Sequence, residues 1–174
     1  MNEFTYTSLL PVGEETTEFI KITDRFVKSF SMNGDVFLEI NPEGLVFLAE
    51  RAFEDVSHLL RPSHLQQLRN ILDDKEASDN DHFVALELLK NAVIASDKVL
   101  PMCQDTGTAI ISAVKGERVI SGGSDAESLS KGIFNTYRSS NLRYSQLAPI
   151  TMFEEKNTGN NLPAQIDIYS GSGN

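Results

Sequence analysis

The spacing of apolar residues constrains the fold more than any other feature of this sequence. Between about residues 41 and 96, apolar residues recur every three or four positions, which is typical of amphipathic helices. Before and after this stretch they mostly alternate with polar residues, as in half-buried strands. Asn33-Gly34 joins two such segments, 25–32 and 35–40, and predicts a type I′ hairpin. Because hairpins pair antiparallel, we expect an α+β fold: a helical cluster packed with a small, mainly antiparallel sheet.

Four helices are predicted from N-terminal capping patterns that precede apolar stripes. Asn41 and Pro42 suit the start of the first helix, and Ser63 begins a capping box for the second. The third helix runs from about residue 81 to 96. Ser124 begins another capping box, which predicts a fourth helix that continues to about residue 139.

Further strands are predicted where alternation returns outside the helices. They cover residues 17–22, 109–114, 118–120 and 164–169. The turn at 115–117 predicts that the second and third of these strands form a hairpin.

Size and composition point to one globular unit. The 174 residues, of which 40% are hydrophobic, fit a single domain with a sizeable core. We therefore interpret residues 1–174 as one domain or a truncated part of one, and residues 1–40 as a strand-rich extension within it. The chain ends directly after its last predicted strand, as though cut in mid-structure.

The charge balance limits the possible partners. With 25 acidic and 15 basic residues, the net charge is -10, which argues against binding to nucleic acid or to anionic membranes. No apolar run approaches the ~20 residues of a membrane helix, and the polar N-terminus lacks a signal-peptide pattern. The single cysteine cannot form an internal disulfide. We therefore expect a cytoplasmic protein.

Cys103, the single cysteine, lies in the segment that most strongly suggests a functional site. Most unpaired cysteines are small core residues, but polar side chains at 104–106 and 108 surround this one, and Gly107 permits an unusual backbone. Cys103 could be a nucleophile, although nothing in the sequence places one of the three histidines beside it. It could instead be a metal or cluster ligand, with the remaining ligands supplied from elsewhere. The histidines themselves are interpreted as surface or helix-end residues.

Several segments together resemble one enzyme family. Residues 103–109 read Cys-Gln-Asp-Thr-Gly-Thr-Ala and resemble the cysteine motif of class I fumarate hydratases, the iron–sulfur-dependent fumarases. Further similar segments, in the same order along the chain, are residues 60–62, 76–81, 141–149 and 157–167. The resemblance spans most of the chain, and ordered segments at family-like spacing are far more specific than any single one.

The resemblance implies a hydro-lyase that interconverts L-malate and fumarate with a [4Fe-4S] cluster held by three cysteines. It implies that Cys103 is the first cluster ligand. Gln104 and Asp105 match residues that contact the substrate, and Asp105 matches one that can take part in proton transfer. Arg143 matches an arginine that binds a substrate carboxylate, a task that suits the planar guanidinium. Family members are usually homodimers.

The sequence also departs from the family. Full-length members are several hundred residues long, and their other two cluster cysteines lie in later sequence. The chain is therefore interpreted as an N-terminal fragment whose first partner is the remainder of the same polypeptide. We expect no stable cluster and no useful activity from the fragment by itself.

Three alternatives stay open at this point. A related iron–sulfur hydro-lyase could act on tartrate or mesaconate. The fragment could be a catalytically silent structural or interaction domain. A cysteine hydrolase would require a histidine beside Cys103.

Overall fold

The structure is a computed structural model that describes residues 4–7, 18–103 and 107–173. Within these ranges, four helices and seven short strands are arranged along the chain in the following order: β1 (Val27–Met32), β2 (Asp35–Ile40), α1 (Pro42–His58), α2 (Pro62–Ile71), α3 (Asp79–Ala95), β3 (Ile110–Gly116), β4 (Val119–Ser121), α4 (Asp125–Ser139), β5 (Leu147–Pro149), β6 (Glu155–Asn157) and β7 (Gln165–Gly171). No helix in the described ranges is long and apolar enough to cross a bilayer.

The N-terminal hairpin is confirmed. β1 and β2 pair antiparallel, and the two turn residues Asn33 and Gly34 have φ angles of 54° and 88°. Positive φ at both positions matches the right-handed twist of the flanking strands, and Asn-Gly adopts it at little cost. Phe30 and Phe37 lie opposite each other, with ring centroids 5.4 Å apart.

The α+β class is confirmed, but the expectation of one small, mainly antiparallel sheet is wrong, because two of the four described strand pairings are parallel. The described strands form three small sheets, with the orders β1-β2-β4, β3-β7 and β5-β6. The pairings β1-β2 and β5-β6 are antiparallel, whereas β2-β4 and β3-β7 are parallel.

The predicted hairpin between β3 and β4 is wrong, because these strands lie in different sheets. β7 pairs with β3 along all seven residues, from Ile110 opposite Gln165 to Gly116 opposite Gly171. The three-residue β4 could pair with less than half of β3. The longer ladder satisfies more backbone donors and acceptors, so the chain crosses between sheets instead of folding back.

The predicted strand at 17–22 is also wrong over residues 18–22, the part of it that the structure describes. Residues 18–22 form no strand, and Phe19 and Ile20 are 87% and 85% exposed. Their alternation with polar residues therefore does not reflect burial against a sheet.

Two helix starts differ from the capping predictions. Arg61 is the N-cap of α2, with Pro62 as the first helical residue and no side-chain cap, so the proposed Ser63 box is wrong. Proline favours this first position because it has no N–H to leave unpaired. α3 begins earlier than predicted, with a capping box between Ser78 and Asp81. The hydrogen bond from the Ser78 side chain lowers the pKa of Asp81.

Helices α1 and α4 approach each other closely at Gly132. A Cβ atom at this position would lie 2.4 Å from the carbonyl oxygen of Val46 and 2.7 Å from Cβ of Ala49. The contact holds α4 so that Ile133 and Tyr137 enter the main core cluster. This cluster consists of Ala109, Ile133, Tyr137 and Leu142, with Phe53, Ile111, Leu162 and Ala164 packed against it.

A large apolar groove lies between α1 and the β3-β7 sheet. It encloses about 1000 Å³ and includes Leu45, Leu48, Ala52, Ile110, Val114 and Ile168 among its lining residues. Ile110 and Val114 of β3 are 59% and 57% exposed. Exposed apolar surface of this extent is typical of interaction surfaces and ligand-binding grooves.

A polar trio closes one edge of the groove. Lys115 on β3 contacts Ser121 on β4 at 2.8 Å and Asp125 on α4 at 2.6 Å, and Ser121 also donates to Asp125. Burial by itself raises the pKa of Asp125, but the bonds from Lys115 and Ser121 outweigh burial and the net pKa is lowered. The trio thus joins two sheets to the start of α4 through a stabilised carboxylate.

Candidate functional site

Cys103 is exposed and takes no part in a disulfide. It lies on the connection from α3 to β3, beside a cavity of about 240 Å³. The cavity lining combines apolar side chains with hydroxyl groups: Phe53, Val56, Ser57, Met102, Cys103, Thr108, Ala109, Ile110 and Tyr137. The exposed sulfur excludes the reading of Cys103 as a core residue and leaves the thiol accessible for chemistry.

The backbone immediately before Cys103 is anchored on two helices. The Met102 N–H donates to the carbonyl oxygen of Ser57, at the end of α1, at 3.0 Å. The side-chain amide of Asn91, on α3, donates to the Met102 carbonyl at 2.8 Å. Both main-chain groups of Met102 are therefore fixed, which holds the start of the cysteine motif against α1 and α3.

The backbone after the motif is anchored at Gly107. Its N–H donates to Ser145 Oγ at 2.9 Å, and its carbonyl accepts from Asn161 Nδ2 at 2.6 Å and from the Tyr137 hydroxyl at 3.5 Å. Gly107 has a φ of 56°, in the left-handed region that glycine enters without strain. This residue is the point where the cysteine motif meets the later segments.

Gln104 and Asp105 lie outside the described residues. Their roles as substrate contacts, and that of Asp105 in proton transfer, therefore stay predictions. The structure does describe both residues that flank 104–106, so the segment is bounded by Cys103 at one end and by the anchored Gly107 at the other.

Arg143 is exposed, and its flanking residues are fixed. Leu142 is 6% exposed and belongs to the core cluster. The ring of Tyr144 stacks on Tyr137 with centroids 6.3 Å apart, and the Tyr144 carbonyl accepts from Asn157 Nδ2 at 2.7 Å. The backbone that carries the guanidinium is thus held on both sides, which suits a side chain that must meet a ligand in one orientation.

The structure brings together three of the segments that carried the resemblance. Residues 103–109 and 141–149 meet through the bond between Gly107 and Ser145. Residues 157–167 join both, because the two ends of the Asn161 side chain contact the Gly107 carbonyl and, at 2.8 Å, the Gln146 N–H. The Gln165 N–H also donates to the Ala109 carbonyl at 2.9 Å. The earlier segments lie at helix N-termini: Arg61 is the N-cap residue of α2 without a side-chain cap, and Ser78 caps α3.

Sequence reasoning missed three residues that organise this region: Tyr137, Ser145 and Asn161. Each reaches Gly107 through a side chain. The asparagine lies in a segment with obvious turn composition, but nothing local distinguishes a buried bridging amide from an exposed turn residue.

The described residues do not form a complete metal centre. No group of three or more His, Cys, Asp or Glu side chains within the described ranges could hold a metal ion. A cysteine sulfur is the ligand that iron–sulfur clusters require, and Cys103 is an exposed cysteine. The donor set therefore fits one ligand of a cluster and needs further ligands from outside the described chain.

Two of the histidines have contacts that do not involve Cys103. His58 is the last residue of α1, as its interpretation as a helix-end residue predicts, and it is only 1% exposed. Its Nδ1 donates to the Glu54 carbonyl at 2.7 Å, and its Nε2 is buried without a hydrogen-bond partner. His82 Nε2 contacts the Asp74 carbonyl at 3.0 Å. His58 therefore gives Cys103 no general base.

Lys98 ties the connection before Cys103 to α1. Its Nζ lies 2.6 Å from Asp55 Oδ1 and 3.0 Å from Glu54 Oε2. The hydrogen bond with Asp55 is the main reason that the pKa of Lys98 is raised; burial acts in the opposite direction. A raised pKa in the folded state stabilises the fold below the ordinary lysine pKa, and this contribution disappears as the pH rises through the folded-state value.

Replacing Lys98 by methionine is expected to lower the free energy of unfolding by about 1 kcal/mol at pH 8, because it leaves two carboxylates without their cation. The difference from the wild-type chain should begin to shrink near pH 10.5, the ordinary lysine pKa, and should disappear as the pH rises through the higher folded-state pKa of Lys98. Urea denaturation at pH 8 and at increasing pH values above pH 10.5 measures the difference. Lys90→Met removes an exposed pair with Glu87 and is the control, with a smaller expected loss. A difference that is constant with pH would contradict an ionic origin.

Comparisons with known proteins extend these observations. The family model described as "Fumarate hydratase (Fumerase)" matches residues 47–174. The chain is 51% identical over 170 residues to "Fumarate hydratase class I, anaerobic" and 50% identical to "Fumarate hydratase class I, aerobic", both of Escherichia coli strain K12. It is 48% identical over 174 residues to "Fumarate hydratase 1, mitochondrial" of Leishmania major.

These matches cover the chain far more completely than the relatives. Each of the three alignments includes 98% of the chain but only 31% or 32% of the relative. The chain therefore spans about a third of the length of the curated relatives it matches.

Proposed function

Because the chain belongs to the fumarate hydratase (Fumerase) family, we propose that it is the N-terminal part of a class I fumarate hydratase that interconverts L-malate and fumarate. The observation that carries the proposal is the convergence at Gly107 of the cysteine motif with residues 141–149 and 157–167. Segments that are far apart in sequence thus meet four residues after the exposed Cys103.

We assign Cys103 as one of three ligands of a [4Fe-4S] cluster in the full-length parent protein. Its exposure and the anchored backbone before it support this role. When bound, such a cluster supplies a Lewis acid that polarises the hydroxyl group to be eliminated. The fragment itself is proposed to bind no stable cluster and to be inactive, because it contains one cysteine.

Substrate binding is proposed to fall to residues of the same segments. Arg143 is proposed to hold one carboxylate of the dicarboxylate by two charge-assisted hydrogen bonds. Gln104 and Asp105 are proposed to contact the substrate, with Asp105 able to accept or return a proton. The anchored backbone around Arg143 reduces the orientational freedom lost on binding.

The remainder of the polypeptide is the proposed occupant of the apolar groove between α1 and β3. The relatives are about three times as long as this chain, so a full-length parent has ample chain to cover it. Covering exposed side chains such as Ile110 and Val114 contributes roughly 25 cal/mol for each Å² removed from water. Residues 1–174 are accordingly proposed to be one domain, or part of one, with residues 1–40 as its strand-rich extension.

The parent protein is further proposed to be a cytoplasmic homodimer without nucleic-acid or membrane partners. The net charge of -10 supports the exclusion of both polyanionic partners.

The substrate assignment is tested by assaying the anaerobically purified full-length parent with L-malate, tartrate and mesaconate. We expect turnover of L-malate to fumarate to be the fastest reaction by kcat/KM. Turnover of tartrate or mesaconate without malate would replace the substrate assignment and keep the family. Inactivity of an iron-loaded parent on all three would remove the hydro-lyase proposal and favour a catalytically silent domain.

Changing Arg143 to lysine in the full-length parent is expected to raise the KM for L-malate about 10- to 100-fold. Lysine keeps the charge but cannot form two parallel hydrogen bonds with a carboxylate, a loss of about 1.5–3 kcal/mol. Steady-state kinetics with iron-normalised enzyme measures the change. Arg138→Lys is the control, because Arg138 is exposed on α4 with its guanidinium over the Phe134 ring. An unchanged KM in Arg143→Lys would exclude a direct contact with the substrate.

A further inference from the structure

Asn161 occupies an unusual position beside the proposed site. It has 0% relative exposure, whereas asparagine is usually a surface residue, and its φ is 56°. Left-handed backbone is tolerated by asparagine better than by most residues other than glycine. A buried polar side chain in this conformation persists when its hydrogen bonds offset the cost of burial.

Both ends of the Asn161 side chain are used, and they reach different segments. Nδ2 donates to the Gly107 carbonyl at 2.6 Å, and Oδ1 accepts from the Gln146 N–H at 2.8 Å. The partners fix the orientation of the amide, because a carbonyl can only accept and a backbone N–H can only donate. One buried side chain therefore connects the end of the cysteine motif to the loop that follows Arg143.

We propose that Asn161 is the positioning residue that sets the cysteine motif and the Arg143 loop at a fixed distance and orientation for catalysis. This inference rests on the proposed function. Asn161 acts through Gly107 and Gln146, not through contact with the substrate. It complements the Ser145 hydroxyl, which accepts from the Gly107 N–H, so that both main-chain polar groups of Gly107 are held.

The position of Cys103 itself does not depend on Asn161. Its preceding residue, Met102, is held by Ser57 and Asn91 from the opposite side. A change at Asn161 should therefore leave cluster ligation intact while it loosens Gly107 relative to the loop that carries Arg143. Unchanged cluster ligation together with altered kinetics would therefore distinguish a positioning role from general support of the fold.

The test is Asn161→Asp in the anaerobically purified full-length parent. The aspartate keeps the size and the acceptor toward Gln146, but it places a second acceptor against the Gly107 carbonyl. We expect iron content per chain to be unchanged, KM for L-malate to rise about tenfold, and kcat per iron to fall about tenfold, as for a catalytic array displaced by about 1 Å. Asn33→Asp is the control, since Asn33 also has positive φ and lies in the exposed β1-β2 turn.

The proposal would be overturned if the Asn161→Asp enzyme had the same KM and the same kcat per iron as the wild type. It would also be overturned if activity fell only in proportion to iron content while KM stayed unchanged. If the buried carboxylate prevents folding, Asn161→Gly takes its place, because glycine accepts the same φ and buries no charge. The same kinetic change is expected from this variant. Absence of malate turnover in the wild-type parent would instead be a failure of the proposed function, so the two failures are distinguishable.

Discussion

Cys103→Ser in the full-length parent is expected to remove nearly all hydratase activity. A serine hydroxyl is not a thiolate and is a poor ligand for an iron–sulfur cluster, so the Lewis acid should be lost. Lewis-acid polarisation contributes several kilocalories per mole to stabilisation of the transition state, and about 4 kcal/mol corresponds to roughly a thousandfold in rate. Anaerobic assays with L-malate measure the loss of activity. Iron content, sulfide content and visible absorbance of the purified protein measure the loss of the cluster.

The same substitution in the 174-residue chain is expected to leave stability nearly unchanged. Cys103 is exposed, and surface substitutions usually alter the free energy of unfolding by no more than about 0.5 kcal/mol. Met102→Leu is the control for local packing, since it conserves volume beside the same cavity and should retain iron. A Cys103→Ser parent with wild-type iron content would show that the thiolate is not a cluster ligand.

Local patterns in the sequence predicted the elements well where a single segment determines its own conformation. The Asn33-Gly34 turn formed because both residues accept positive φ, and Asn41 caps α1 by accepting from the Glu43 N–H at 2.9 Å. Such features depend on the backbone within a few residues, which is the range over which turn and capping chemistry acts.

Patterns failed where the outcome depended on a distant partner. β3 looked able to pair with β4 across a short turn, but the longer β7, some fifty residues away, provided a fuller ladder. The Ser63 capping box failed for a different, local reason, because the adjacent Pro62 already begins the helix. Competition between segments that are remote in sequence cannot be resolved from the spacing of residues within one of them.

The residues of the candidate site were likewise predictable from the sequence only in part. Cys103 was singled out by its polar neighbours, and the resemblance implies the roles of Cys103 and Arg143, which stay predictions. The residues that bring the resembling segments together, Ser145 and Asn161, were not singled out, because a hydroxyl or amide shows its structural role only when its partner is known. Motifs therefore suggest which groups to test, whereas the fold shows what holds their backbone in position.

Gly132→Ala is expected to destabilise the 174-residue chain by about 2 kcal/mol, although alanine is a better helix former than glycine. The added Cβ would lie 2.4 Å from the Val46 carbonyl oxygen, and a backbone atom of α1 cannot rotate away as a side chain could. The helices must separate, and overpacking of this kind costs roughly 1–3 kcal/mol. Urea denaturation should show a lower midpoint with an unchanged slope.

The consequences of Gly132→Ala should extend to the site, since α4 also carries Tyr137, whose hydroxyl reaches the Gly107 carbonyl. Gly122→Ala is the matched control: its Cβ would lie 3.6 Å from Pro42 Cδ, an ordinary contact, so the expected change is within about 0.5 kcal/mol. If Gly132→Ala were as stable as the wild type, α1 and α4 could not approach as closely as described. The placement of Tyr137 would then need another support, because the close helix contact is what allows this side chain to reach the cysteine motif.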